Sequence, residues 1–157
     1  LIEENPKYES NCKKWLSSIH SDMKNKLILG RSVLIIFKTI KDLQLFNEYQ
    51  KQKRTRANFI EYIYSDDTKI SEKIKNINPR TVILSTNLGG RGTDFQLSRQ
   101  LIKQKGMHLI LTFYTPNSRV TSQALGRVAR KGEPGSATLI YNTDRHQWLQ
   151  LKSFHSD

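Results

Sequence analysis

Thr81-Val82-Ile83-Leu84-Ser85-Thr86-Asn87-Leu88-Gly89-Gly90-Arg91-Gly92-Thr93-Asp94 decides how the rest of this chain reads. Thr81 to Ser85 has the apolar, β-branched chemistry of a buried strand, and it runs straight into a glycine-rich turn. Glycines let backbone approach a ligand closely, an arginine neutralises phosphate charge, and Thr and Asp can organise a metal, a water or a neighbouring loop. The same turn suits Asp94 as a helix N-cap, and the two readings are compatible. A second segment of this kind, Gln123-Ala124-Leu125-Gly126-Arg127-Val128-Ala129-Arg130-Lys131-Gly132-Glu133-Pro134-Gly135-Ser136, lies downstream of another apolar run, Met107 to Phe113.

The pattern extends outward in both directions. Upstream, Cys12, Trp15, Leu16, Ile19, Met23 and Leu27 recur at helical spacing, which predicts a helix from about Tyr8 to Leu27, closed by Gly30. Ser32 to Phe37 reads as a strand buried on both faces. Thr39 with Asp42 three residues on opens a further helix, whose buried side is expected to be Leu45, Phe46 and Tyr49. Phe59 to Tyr64 is a strand, Ser65-Asp66-Asp67 a polar break, and Lys69 to Asn76 a short helix. Downstream, a helix over Gln96 to Gln104 precedes the Met107 to Phe113 strand, and Arg119 to Arg130 is helical. Ala137 to Tyr141 is the last strand, and Arg145 to Phe154 a helical tail. Strands alternating with helices at these lengths predict one α/β domain, a parallel sheet with helices on both faces. In such folds ligands meet the loops at the carboxyl ends of the strands, where both glycine-rich segments fall.

The bulk properties agree. At 157 residues with 36% hydrophobic and 25% charged residues, the chain is a single domain with room for a core. No apolar run approaches the ~18 residues of a membrane span. Cys12 is the single cysteine, which precludes an internal disulfide and suits a reducing compartment. His20, His108, His146 and His155 show no metal-ligand spacing, so no metal held by protein ligands alone is expected. The chain opens at Leu1 without a methionine and reads as a fragment. A net charge of +12 points to phosphates, nucleic acid, an anionic surface or an acidic partner. Between Phe95 and Gly132 there are seven basic residues and no acidic one. A second basic cluster, Lys51, Lys53, Arg54 and Arg56, reads as a solvated helix end and loop.

Two absences limit the chemistry. No G-x-x-x-x-G-K-[ST] occurs, so the chain has no phosphate cradle of its own, and no D-E-x-[DH] stands ready for magnesium. Alone, the chain is expected not to hydrolyse ATP. Arginines without such a loop are what a completing domain carries, since an arginine supplied across an interface raises phosphoryl-transfer rates by ~10³–10⁵. Arg127 and Arg130 are three residues apart on one helix and share a face, with Gln123 one turn earlier. These three are the candidate catalytic residues. Gly90, Arg91, Gly92, Thr93, Asp94 and Gly126 are the candidates for nucleotide contact.

The two segments resemble motifs V and VI of superfamily 2 helicase-type motors, and in detail the SecA preprotein-translocating ATPases. Lys7-Tyr8-Glu9, Gly30-Arg31-Ser32-Val33-Leu34-Ile35 with Thr39-Ile40, and Gly106-Met107-His108-Leu109-Ile110 resemble SecA segments as well, as does the spacing from Thr112 to Gln123. Ala129, Glu133, Lys105 and Phe113-Tyr114-Thr115-Pro116 depart from that pattern. The resemblance implies a RecA-like second nucleotide-binding domain over 1–157, with 1–30 as a leading helix and 142–157 as a C-terminal tail. It also implies ATP with Mg2+, bound only at an interface with a first nucleotide-binding domain, and coupling of hydrolysis to movement of a polypeptide, with a membrane channel as a further partner. The expected location is cytoplasmic or organellar, including the periphery of a membrane. Two alternatives stay open: the second motor domain of a nucleic-acid helicase, and a non-catalytic binding module. The basic stretch is expected to give weak, salt-sensitive binding to DNA or RNA.

Overall fold

The computed structural model describes residues 2–63, 72–86, 95–114, 122–124, 126 and 134–143. Among these, seven strands form one parallel sheet: β1 (Ile2–Glu3), β2 (Lys7–Glu9), β3 (Ser32–Ile36), β4 (Asn58–Tyr62), β5 (Thr81–Ser85), β6 (Met107–Leu111) and β7 (Gly135–Asn142). Their spatial order is β1-β7-β6-β3-β5-β4, with β2 continuing the edge strand beside β7. Three helices are described: α1 (Cys12–Ile28), α2 (Ile40–Gln52) and α3 (Arg99–Lys103).

All five residues of each of β3, β5 and β6 are buried, as the mostly apolar runs predict for strands covered on both faces. Alternate side chains divide between two cores. Val33, Ile35, Val82, Leu84, Ile110 and Ile140 meet α1 and α2 through Trp15, Ile19, Met23, Leu43 and Phe46. Leu34, Ile36, Ile83, Leu109 and Ala137 face the other way, toward Ile74, Ile77, Leu101 and Ala124. Each such Val, Leu or Ile contributes about 1.5–3 kcal/mol when fully buried.

Local signals set the helix ends. Asn11 caps α1 by accepting from Lys14 N at 2.8 Å, and Thr39 Oγ1 caps α2 by accepting from Asp42 N at 3.1 Å. Gly30, at φ +78°, closes α1: its N–H reaches Leu27 O at 3.0 Å while Arg31 N reaches Lys26 O at 3.1 Å.

Four expectations need correction. Residues up to 30 are not one leading helix, because Lys7–Glu9 pairs with Ile140–Asn142 as an edge strand and the helix waits for the Asn11 cap. Leu45 is exposed, and Leu43 with Phe46 forms the buried side of α2 while Tyr49 is half-buried. The helix expected from Gln96 begins at Arg99, since Leu97 bridges to Ile77 and Ser98 is the N-cap of α3. Asn142 belongs to the last strand, not to a tail. The polar break at Ser65-Asp66-Asp67 and the tail helix lie outside the described residues, as do parts of the helices expected over Lys69 to Asn76 and Arg119 to Arg130.

Candidate functional site at the carboxyl edge of the sheet

The connection leaving central strand β3 crosses the α1/α2 face, whereas the one leaving its neighbour β5 runs to the opposite face through α3. Chain leaving β6 also runs to that opposite face, where Ala124 is buried. Connections to opposite faces thus diverge beside β3 at the carboxyl ends of the strands, the kind of point at which open parallel sheets form a ligand crevice.

Its floor is tied together by backbone. Phe37 N donates to Ser85 O at 2.8 Å, joining the end of β3 to the end of β5. Thr112 donates twice to Ile36 O, from its N at 3.2 Å and its Oγ1 at 2.8 Å, joining β6 to β3. Ser85 and Thr112 are buried, so the described ends of β5 and β6 are tied to β3 by buried groups. Lys38 is exposed immediately beyond Phe37, at the end of the central strand. Sequence reasoning passed over it, although a lysine following a buried strand was a usable signal.

Of the candidate residues, Gln123 and Gly126 are described. Both are exposed in a helical segment whose Ala124 is fully buried in the core. Three residues apart, they share the outward face. A Cβ built on Gly126 meets nothing within 4 Å. Among the described residues nothing therefore requires glycine there, although glycine weakens a helix by about 1 kcal/mol relative to alanine. Arg127, Arg130, Gly90, Arg91, Gly92, Thr93 and Asp94 lie outside the described residues. Among the described residues no group of His, Cys, Asp and Glu could hold a metal, and no helix is long and apolar enough to cross a membrane.

The amino edge carries a buried polar network that the sequence did not reveal. His108, on β6, contacts Asp22 Oδ2 through Nε2 at 2.8 Å and Ser136 Oγ through Nδ1 at 2.6 Å. The neutral imidazole with its proton on Nε2 fits both: it donates to the carboxylate and accepts from the serine hydroxyl. Burial holds the His108 pKa below the usual histidine value, against the opposing pull of Asp22. Burial pushes the Asp22 carboxyl up, but the His108 hydrogen bond and charge, with Lys26 and Lys7, leave it below its ordinary value. Arg31 is buried beside this network and donates to Met107 O at 3.0 Å. All of this lies at the end of the sheet away from the crevice. It stitches α1 to β6 and β7.

No family model matches the chain. In sequence it is similar to SecA proteins. It is 30% identical over 116 residues to protein translocase subunit SecA 2 of Staphylococcus aureus (strain Newman), covering 73% of this chain and 14% of that protein. With protein translocase subunit SecA of Malacoplasma penetrans (strain HF-2) the identity is 26% over 125 residues, 79% of this chain and 9% of that one. The chain thus spans only a small part of these relatives. Among solved structures, the DEAD-box helicase Mss116p domain 2 bound to an RNA duplex superposes with a TM-score of 0.66 at 15% identity, over 98% of this chain and 59% of that one. The E. coli DEAD-box protein SrmB bound to regulator of ribonuclease activity A gives 0.64 at 10% identity, over 98% of this chain and 86% of the other. The chain is therefore SecA-like in sequence over much of its length, and it has the RecA-like fold of a helicase or translocase second motor domain.

Proposed function

We propose that this domain is the second half of a two-domain ATPase of the SecA kind. It completes a nucleotide site whose phosphate cradle and magnesium-binding acids belong to a first motor domain. Arg127 and Arg130 stabilise the charge that develops on the transferring phosphoryl group, and Gln123 orients water or links the helix to the facing domain. Gly90, Arg91, Gly92, Thr93 and Asp94 sense the nucleotide at the end of β5, and closure of the cleft drives movement of a polypeptide.

The observation that carries this reading is the exposed, uncontacted glycine at 126 beside exposed Gln123, on a helical turn anchored by buried Ala124. A glycine that its own domain does not require fits the close approach of a second surface. Gly126→Leu tests it. The side chain has open space within the domain, so thermal stability should hold, while ATP turnover of the two-domain protein should fall at least about tenfold through blocked closure. Normal turnover in that variant would refute the interdomain reading.

A further inference from the structure

At the amino edge of the sheet, a concavity of about 270 Å³ lies between α1, the turn after α2 and the turn before β5. Six of its lining residues are His20, Lys24, Lys53, Arg54, Arg56 and Arg80, and among the described residues no carboxylate lines it. The cluster that reads in sequence as a solvated loop thus folds around a hollow, joined by cations from two distant segments.

The backbone adds a second observation. Only three described non-glycine residues have positive φ, and two of them, Arg54 at 52° and Arg80 at 63°, line this hollow. Arginine in the left-handed region is strained where glycine would not be, and such strain concentrates at binding sites. Arg80 is held there by its backbone, which accepts from Asn58 N at 3.0 Å and donates to Arg31 O at 3.2 Å. Its guanidinium donates to Arg56 O at 3.3 Å, and His20 Nε2 lies 2.7 Å from Thr55 Oγ1, which fixes the wall.

We propose that this hollow binds a compact, multiply charged phosphoryl anion of the diphosphate type, at a site separate from the crevice at the carboxyl edge. Guanidinium and ammonium groups converging on one hollow match clustered phosphoryl oxygens, and a wall without carboxylates leaves their charge uncompensated until the anion arrives. A concave arrangement suits a compact group better than an extended backbone, which would call for a row of cations. The same field is felt at His20, whose pKa is lowered by burial and then by Lys24 and Lys53. A bound anion reverses the last two effects.

The test is titration of the 157-residue chain with pyrophosphate at physiological salt, followed through the His20 imidazole proton resonances. Binding should shift these resonances and raise the His20 pKa. Arg54→Gly and Arg80→Gly remove the side chains at positions where glycine relieves strain, so the fold should survive, and each should weaken binding about tenfold. Lys51→Gln, on the same helix end but outside the hollow, should change affinity less than twofold. The proposal is overturned if pyrophosphate leaves His20 unmoved, or if either glycine variant binds as tightly as the parent. Equal loss in Lys51→Gln also overturns it, as does a response to hexaglutamate or single-stranded oligonucleotide but not to pyrophosphate.

Discussion

Gly106→Ala should be among the most damaging single-methyl changes in this domain. Gly106 sits at φ +74°, and a Cβ built there falls well inside contact distance of the Pro134 carbonyl oxygen and 3.1 Å from the carbonyl carbon. The obstacle is backbone at the start of β7, which pairs with β6 through Met107 and Gly135, so it cannot swing aside. The left-handed conformation costs about 1–3 kcal/mol for alanine, and the forced shift of packed backbone about 1–3 more. The total, about 2–6 kcal/mol, is a large share of the 5–15 kcal/mol of a typical domain and lowers Tm by roughly 5–20 °C. Gly30→Ala is the internal control. Its φ of +78° is equally unfavourable, but its new Cβ would meet only the flexible end of Gln104 at 3.2 Å. Urea unfolding should place Gly30→Ala near the conformational cost alone, about 1–3 kcal/mol, and Gly106→Ala above that value. Equal losses would show that the Pro134 contact does not matter, and a neutral Gly106→Ala would refute the packing of β6 against β7.

Acidification should weaken the fold. His108 and His20 both have lowered pKa values, so the folded chain takes up fewer protons than the unfolded chain as pH drops. The stability they provide is present above the ordinary value of 6.5 and is lost as pH falls through their lower folded values, with Asp22 adding a further loss below 3.8. Urea midpoints at about pH 7.5 and about pH 5.5 should show this slope, and it should flatten in the His20→Gln/His108→Gln double variant. Thr112→Val, which deletes the buried hydroxyl bonded to Ile36 O at 2.8 Å, should cost roughly 1–3 kcal/mol in the same assay. With the hollow at Arg80 saturated by pyrophosphate, calorimetry of the isolated chain with ATP and magnesium should detect no micromolar binding, since its sequence contains no G-x-x-x-x-G-K-[ST] loop. Oligonucleotide binding should be loose and fall steeply with salt; tight binding at physiological salt would favour the helicase reading.

The layers of this fold were legible because β3, β5 and β6 are mostly apolar runs that start where they were expected, and Thr39 and Gly30 mark helix boundaries as local chemistry requires. The edge strand Lys7–Glu9 was not legible. It has no apolar pattern of its own, being stabilised by pairing with residues more than a hundred positions away, and Tyr8 falls in phase with the apolar stripe of α1. Leu45 misled because three apolar residues near the middle of α2 allow two faces, and only the sheet below selects Leu43 with Phe46. The Asp22–His108–Ser136 network and the hollow around Arg80 escaped for the same reason: each joins residues from three distant segments. At the carboxyl edge, the sequence supplied the motif residues and the structure supplied the tied strand ends at Ser85 and Thr112. The open face at Gly126 emerged only from packing.

The most direct test of the central claim compares ATP turnover with ATP affinity for Arg130→Ala in the protein that joins this domain to its first motor domain. A residue that meets charge developing in the transition state should lose at least about 10³-fold in turnover while the Kd for ATP changes only a few-fold. Arg130→Lys should not restore the rate, because an ammonium lacks the two-pronged planar donor, and Lys51→Ala, on the exposed end of α2, should turn over normally. Unchanged turnover in Arg130→Ala, or a loss matched in full by weaker ATP binding, would contradict the assignment of this domain as the arginine-bearing half of the site.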